Sequence, residues 1–124
     1  MIQLAKINII ESGDSAIITI SASANVGKSA IAQYITNYLS YIGLNVINQD
    51  DQEGGIFDTK HIELCLSSIA KKVKFDITGD SNLIEPITDL FKTSNLSYTA
   101  ESNQIDSVIK NVIIKTRQLH RSSL

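Results

Sequence analysis

With 124 residues and a net charge of -2, the chain is long enough for one domain and lacks the basic excess of a general nucleic-acid-binding protein. Its 43% apolar and 19% charged residues are typical of a globular domain, and its single cysteine, Cys65, excludes an internal disulfide and a thiolate metal cluster. The first residues lack the basic start and long apolar run of a signal peptide, and no segment has the length of a membrane-spanning helix. We therefore expect a cytoplasmic protein without membrane contact.

The chain begins with two predicted strands. Residues 3–10 alternate loosely between apolar and polar side chains, and residues 16–21 form a second apolar run. Residues 12–15, Ser-Gly-Asp-Ser, give a turn signal between them. The two strands could pair as an antiparallel hairpin, which would place an antiparallel N-terminal edge strand beside a mainly parallel sheet.

A loop of mostly small residues ending in Gly-Lys-Ser follows the second strand and opens an amphipathic helix. Its residues are Ala22, Ser23, Ala24, Asn25, Val26, Gly27, Lys28 and Ser29. Backbone N–H groups of such a loop point inward, and the helix presents its positive end to an anion. Lys28 would place a cation over the outer phosphates, and Ser29 would offer a hydroxyl to Mg²⁺. The layout predicts a phosphate-binding loop; the alternative is an ordinary helix start with Lys28 in solvent.

The remaining elements alternate between helix and strand. The helix after the loop carries apolar residues at helical spacing and ends near Gly43. The elements predicted after it are a strand over 44–48, a helix over 58–71, a strand over 73–77, a helix from Ser81 or Asn82 to Phe91, a strand over 96–100, a helix over 101–109 and a strand over 111–116. Such alternation predicts parallel βαβ units. We therefore expect a single α/β domain over 1–124, built as a compact three-layer sandwich with a mainly parallel sheet.

Three aspartates are candidates for chemistry near the loop. Asp50 and Asp51 follow the strand after the first helix, and ligands of open α/β sheets collect at the carboxyl ends of strands. They are candidate catalytic residues, although an Asp-Asp pair after a strand is equally typical of a turn. Asp76 follows the run Val-Lys-Phe and could bind Mg²⁺ together with Ser29, or cap the next turn instead.

The loop resembles the Walker A motif of P-loop nucleotide-binding proteins, with Ala22 where the first glycine usually stands. The run that ends at Asp76 is similar to a Walker B strand. Residues 16–79 together resemble minimal P-loop proteins of the kind encoded by phages. The resemblance implies a P-loop NTPase-like core, a nucleoside triphosphate such as ATP or GTP, Mg²⁺, and kinase-like or NTPase activity.

Two further segments resemble motifs of small GTPases. Residues 76–79, Asp-Ile-Thr-Gly, fit the pattern Asp-x-x-Gly, and residues 103–106, Asn-Gln-Ile-Asp, resemble a guanine-specificity motif with glutamine in place of lysine. The interval between the two segments is too short for the helices and strands that separate them in that family.

The distribution of arginines favours binding over catalysis. The two arginines, Arg117 and Arg121, are both near the end of the sequence, whereas nucleotide kinases bring arginines over the transferred phosphoryl group. Lysine can replace arginine in charge but not in bidentate geometry. The alternative function is therefore a non-catalytic nucleotide- or phosphate-binding module that acts through a protein partner or sequesters its ligand. A third alternative is a structural homo-oligomer that pairs through its N-terminal edge strand.

Overall fold

A computed structural model of the chain describes residues 2–23, 26–49 and 59–119. Within them lie the strands and helices β1 (Gln3–Ser12), β2 (Ser15–Ala22), α1 (Lys28–Tyr41), β3 (Asn45–Gln49), α2 (Thr59–Lys72), β4 (Val73–Asp80), α3 (Ile84–Thr93), β5 (Ser97–Asn103) and β6 (Asn111–Gln118). The protein is an α/β protein, as predicted. Of the helices described, none is both long enough and apolar enough to cross a membrane.

The six strands form one mixed sheet in the order β3-β6-β2-β1-β4-β5. β1 and β2 are antiparallel, and the other four neighbouring pairs are parallel. Gly13, with φ 64°, takes the first position of the two-residue β1–β2 turn, which suits the glycine of a type II′ hairpin. The predicted hairpin is confirmed, but the predicted edge position is wrong, because β1 pairs with β4 on its other side. The sheet edges are β3 and β5.

The buried side chains of the strands all lie on one face of the sheet. Ile7 is opposite Ile20, and Ile18 is opposite Ile114, so these fully buried residues share that face. Its buried members are Ala5, Ile7, Ile9, Ala16, Ile18, Ile20, Ala22, Val73, Phe75, Ile77, Val112 and Ile114. Burial of this one apolar face against helices is the main source of stability for such a fold.

The three helices cover the same face. Phe91 of α3 packs edge-on against Phe75 with ring centroids 4.9 Å apart, and Tyr34 of α1 is hydrogen-bonded to Ser94 after α3. The helix α2 packs beside α1. The described helices therefore form one layer, and the prediction of a three-layer sandwich is wrong: the fold has one helical layer on one sheet.

Two local predictions also differ from the structure. Residues 104–110 form no regular element, so the helix predicted over 101–109 is wrong. Hydrogen bonds from the Ser107 hydroxyl to Glu11 and from the Asn82 side chain to the Ser107 carbonyl hold this segment instead. The strand predicted over 73–77 extends to Asp80 and includes Gly79.

Candidate functional site

The loop that follows β2 leads directly into α1, as predicted. β2 ends at Ala22, and α1 begins at Lys28. Gly27 is the N-cap residue, with φ 87° and ψ 26°, a left-handed conformation that favours glycine. Its carbonyl accepts the N–H of Ile31 at 3.0 Å, which starts the helix. Two of the eight predicted loop residues, Ala24 and Asn25, lie outside the described residues.

Within the described residues, the positive start of α1 has neither a side-chain cap nor an acidic residue in its first turn. The first N–H groups of a helix have no partner within the helix, so this end attracts an anion. Ser29, the predicted magnesium ligand of the loop, lies in this first turn.

Lys28 folds back over the loop. Its Nζ donates a hydrogen bond to the carbonyl oxygen of Ser23 at 3.3 Å, so the side chain spans from the start of the helix to the end of the strand. The alternative of a lysine extended into solvent does not describe this geometry.

A cavity of about 330 Å³ opens beside the loop, between the last turns of α2 and the beginnings of β1 and β4. It is lined by Gln3, Val26, Gly27, Cys65, Ser68, Ile69, Lys72 and Val73. Ile69 packs so closely on Gly27 that a Cβ on the glycine would lie 2.5 Å from the Ile69 Cδ1. Lys72 adds a cation to the lining of this cavity. This lysine was not predicted, because its one signal in the sequence is a position in the last turn of a helix.

The catalytic candidates Asp50 and Asp51 lie outside the described residues. The strand before them, β3, ends at Gln49 and runs parallel to β6 and β2. Its last residue therefore lies at the same end of the strands as the loop.

Asp76, the second predicted magnesium ligand, is not brought to the loop. It lies within β4 between the buried residues Phe75 and Ile77, so its side chain is on the face away from the helices. Ser29 belongs to a helix on the covered face, and the two predicted ligands are therefore separated by the sheet. The described residues also contain no group of three or more His, Cys, Asp and Glu side chains that could hold a metal ion.

The two GTPase-like segments lie toward the end of the strands opposite the loop. Because β1 reverses the chain before β2, strands β4 and β5 run antiparallel to β2 and end far from its loop. Residues 76–79 and 103–106 accordingly lie toward or beyond those distant ends. Arg117 of β6 is opposite Ser21 and exposed, on the face without helices, while Arg121 lies outside the described residues.

At the end of the strands opposite the loop, a carboxylate of the chain itself, that of Glu11, lies near the start of α3. The Glu11 carboxylate accepts the Asn82 N–H at 2.7 Å and the hydroxyl of Ser107. The hydroxyl of buried Ser81 accepts the N–H of Leu83 at 3.0 Å. Burial raises the pKa of Glu11, but hydrogen bonds from Ser107, Ser81 and the Asn82 N–H lower it more, so the net pKa is below its ordinary value.

The candidate site is thus the loop of residues 22–29 with the adjoining cavity and its two lysines, Lys28 and Lys72. Comparisons of the chain with protein-family models, with curated proteins and with solved structures found no match.

Proposed function

We propose that this chain binds the phosphate groups of a nucleoside triphosphate, ATP or GTP, on the loop of residues 22–29. One observation carries the proposal: Lys28 is folded over a strand–loop–helix turn whose helix begins at a left-handed glycine. The proposal includes the P-loop NTPase-like character of this half of the fold.

The physical chemistry of the loop favours phosphate over other ligands. The open N–H groups at the start of α1 and its partial positive charge suit an anion with several acceptor oxygens. Lys28 now donates to the neutral Ser23 carbonyl. A phosphate oxygen would form a shorter, charge-assisted hydrogen bond with the same ammonium group. Phosphate binding therefore requires a change of partner for one flexible side chain.

The cavity gives the rest of the ligand a place. Its volume of about 330 Å³ falls at the lower end of the range, about 300–1,000 Å³, that small-molecule sites occupy. Lys72 would meet the phosphate chain there and supply charge that arginine supplies in many kinases. Mg²⁺ would be held by the Ser29 hydroxyl and by phosphate oxygens, and it would offset charge on the phosphates.

The placement of the other charged residues favours a binding module over an efficient enzyme. Neither Asp76 nor Arg117 faces the loop, because both lie on the sheet face away from the helices. Phosphoryl transfer needs carboxylates and cations around the transferred group. The direction of β3 supports the NTPase or kinase alternative. This strand ends at the same end of the sheet as the loop, directly before Asp50 and Asp51 in sequence.

Thermal unfolding with and without ligand tests the proposal. Mg-ATP or Mg-GTP at a hundred times its dissociation constant should stabilise the protein by about 2.7 kcal/mol, whereas Mg²⁺ alone should not. Lys28→Ala should abolish the stabilisation with little change in the melting of the free protein. Lys110 is an exposed lysine at the end of the strands opposite the loop, so Lys110→Ala is the matched control and should bind as the wild type does.

Phosphate release in the same samples separates the two functions. Stabilisation without release supports the binding module, and stabilisation with release supports the enzyme. If neither nucleotide shifts the unfolding transition, or if Lys28→Ala binds normally, the loop is not the site and the proposal fails.

A further inference from the structure

The sheet face away from the helices carries an exposed row of isoleucines. Ile47, Ile113, Ile17 and Ile10 are register neighbours on the four adjacent strands β3, β6, β2 and β1. Ile10 is 53% exposed, Ile47 52% and Ile17 39%, while Ile113 is half-buried. We call these four residues the isoleucine row.

A continuous apolar row of this kind is unusual on a free surface. Single exposed hydrophobic residues are common, but contiguous apolar patches mark interaction sites. The row crosses four strands, a span of about 14 Å at a strand spacing of about 4.8 Å. No described helix covers it, because α1, α2 and α3 all pack on the other face.

On this face the cations of β6 and the carboxylates of β4 and β5 lie on opposite sides of the β1–β2 hairpin. The charged residues of the face are Lys6, Lys74, Asp76, Asp80, Glu101, Lys115 and Arg117. The remaining lysines, Lys6 on β1 and Lys74 on β4, are nearer to the end of the strands that carries the loop. A surface with opposite charges on its two sides can match a copy of itself turned over.

We propose that this face is an interface between two copies of the chain, packed face to face about a two-fold axis that runs between β1 and β2. Such an axis places β2 on the partner's β1, and β6 on the partner's β4. Ile17 then meets the partner's Ile10, and Arg117 lies in the row of the partner's Asp76. The cation of Lys115 falls among the partner's carboxylates. This inference does not rest on nucleotide binding, because the loop belongs to the other layer.

The area of the face is sufficient for a stable dimer. The six strands have lengths of 10, 8, 5, 8, 7 and 8 residues. At about 3.3 Å per residue and about 4.8 Å between strands, they give roughly 700 Å² for each copy. Specific interfaces of standard size bury about 600–1,000 Å² for each partner. Two sheets can pack face to face about 10 Å apart with their strands nearly aligned, and their side chains then form an apolar centre.

Charge reversal tests the geometry directly. We expect a dimer in sedimentation equilibrium at about 100 μM, and at least a tenfold weaker dimer for Arg117→Glu and for Asp76→Arg. Combining both reversals should restore the dimer. The two residues are on β6 and β4, three strand spacings or about 14 Å apart, so the rescue cannot come from a contact within one copy. Glu63→Arg, an exposed acidic residue on α2, is the control and should not change the dimer.

A second variant tests the apolar part of the interface. Ile17→Thr keeps a β-branched side chain at an exposed strand position, so the fold should remain while the dimer weakens. Circular dichroism checks the fold of every variant. A wild-type chain that is monomeric at about 100 μM, a dimer unaffected by either reversal, or two reversals without rescue would overturn the proposal.

Discussion

The molecule contains two strand–loop–helix–strand units that differ in what occupies the start of the helix. In the unit β4–α3–β5, the loop before the helix binds the carboxylate of Glu11 through the Asn82 N–H. In the unit β2–α1–β3, the described residues place no carboxylate at the helix start, and Lys28 folds over the loop instead. The same local motif is thus closed by an internal anion in one half of the sheet and by a cation in the other.

This difference shows how one local geometry can serve two purposes. A helix start that already has an internal anion is a structural joint, because the ligand it attracts is part of the chain. A helix start without a described carboxylate, with a lysine that bonds a neutral carbonyl, can take an anion from solution. The contrast supports the assignment of a ligand to the first loop and of a structural role to the second.

The largest expected effect concerns the glycine of the structural unit. Gly79 has φ 140°, and a Cβ there would lie 2.0 Å from the backbone oxygen of Ile9 on the neighbouring strand. Gly79→Ala should cost about 4 kcal/mol or more in the free energy of unfolding, because backbone must move. Urea denaturation measures it. A loss below about 1 kcal/mol would show that the two strands separate easily.

The equivalent change in the loop should cost less. At Gly27 the clash is with the Ile69 side chain, which can rotate, and φ is 87°, so Gly27→Ala should cost about 2–3 kcal/mol. Gly43→Ala is the control, since φ is 101° there and a Cβ would meet nothing within 4 Å. A larger loss in the free energy of unfolding for Gly27→Ala than for Gly79→Ala would contradict this expectation.

The internal anion should make stability depend on pH. Glu11→Gln should reduce the free energy of unfolding by about 1–2 kcal/mol at pH 7, because charge-assisted hydrogen bonds become neutral ones. The folded pKa of Glu11 is lowered, so its contribution is complete above the ordinary value of 4.5 and is lost as the pH falls through the lowered pKa. Denaturation at several pH values should therefore show the variant and the wild type converging in acid. Glu63→Gln should cost almost nothing at any pH.

Of the changes considered, replacing Lys72, which lines the cavity, should have the smallest effect. Lys72→Ala should weaken nucleotide binding about threefold, because an exposed cation contributes up to about 1 kcal/mol. Lys71→Ala is a closely matched control: it removes an exposed lysine from the same last turn of α2, and only Lys72 lines the cavity. Titration calorimetry with Mg-ATP measures both. Equal losses in the two variants would mean that the cavity does not hold the phosphate chain.

Local elements were predictable because their signals are local. The small-residue loop before Lys28 and the turn at Gly13 both lie where the sequence places them. The position of Asp76 relative to the loop was not predictable, because it depends on which strand lies beside β1. That pairing makes β4 antiparallel to β2, so β4 ends far from the loop, and the alternation along β4 places Asp76 on the face away from the helices. The helix predicted over 101–109 failed because Ser107 bonds to Glu11, which is 96 positions away in sequence.

The isoleucine row shows a similar limit. The pairs Ile9-Ile10, Ile17-Ile18 and Ile113-Ile114 put apolar side chains on both faces of three adjacent strands. Such strands usually have both faces covered, which is consistent with three layers. The described helices cover only one face, so one isoleucine of each pair, Ile10, Ile17 and Ile113, lies in the open row. Sequence could indicate two apolar faces but not what covers the second.

The position of β6 between β3 and β2 has a consequence for how the protein reaches this structure. The strands that flank the first helix cannot pair with each other, and they are joined only when the last strand inserts between them. Contacts such as Ile18 with Ile114 close a loop of most of the chain, which slows folding. During synthesis the half of the sheet that carries β2, α1 and β3 must therefore wait for β6 to leave the ribosome, and until then the unpaired edges of β2 and β3 can promote aggregation.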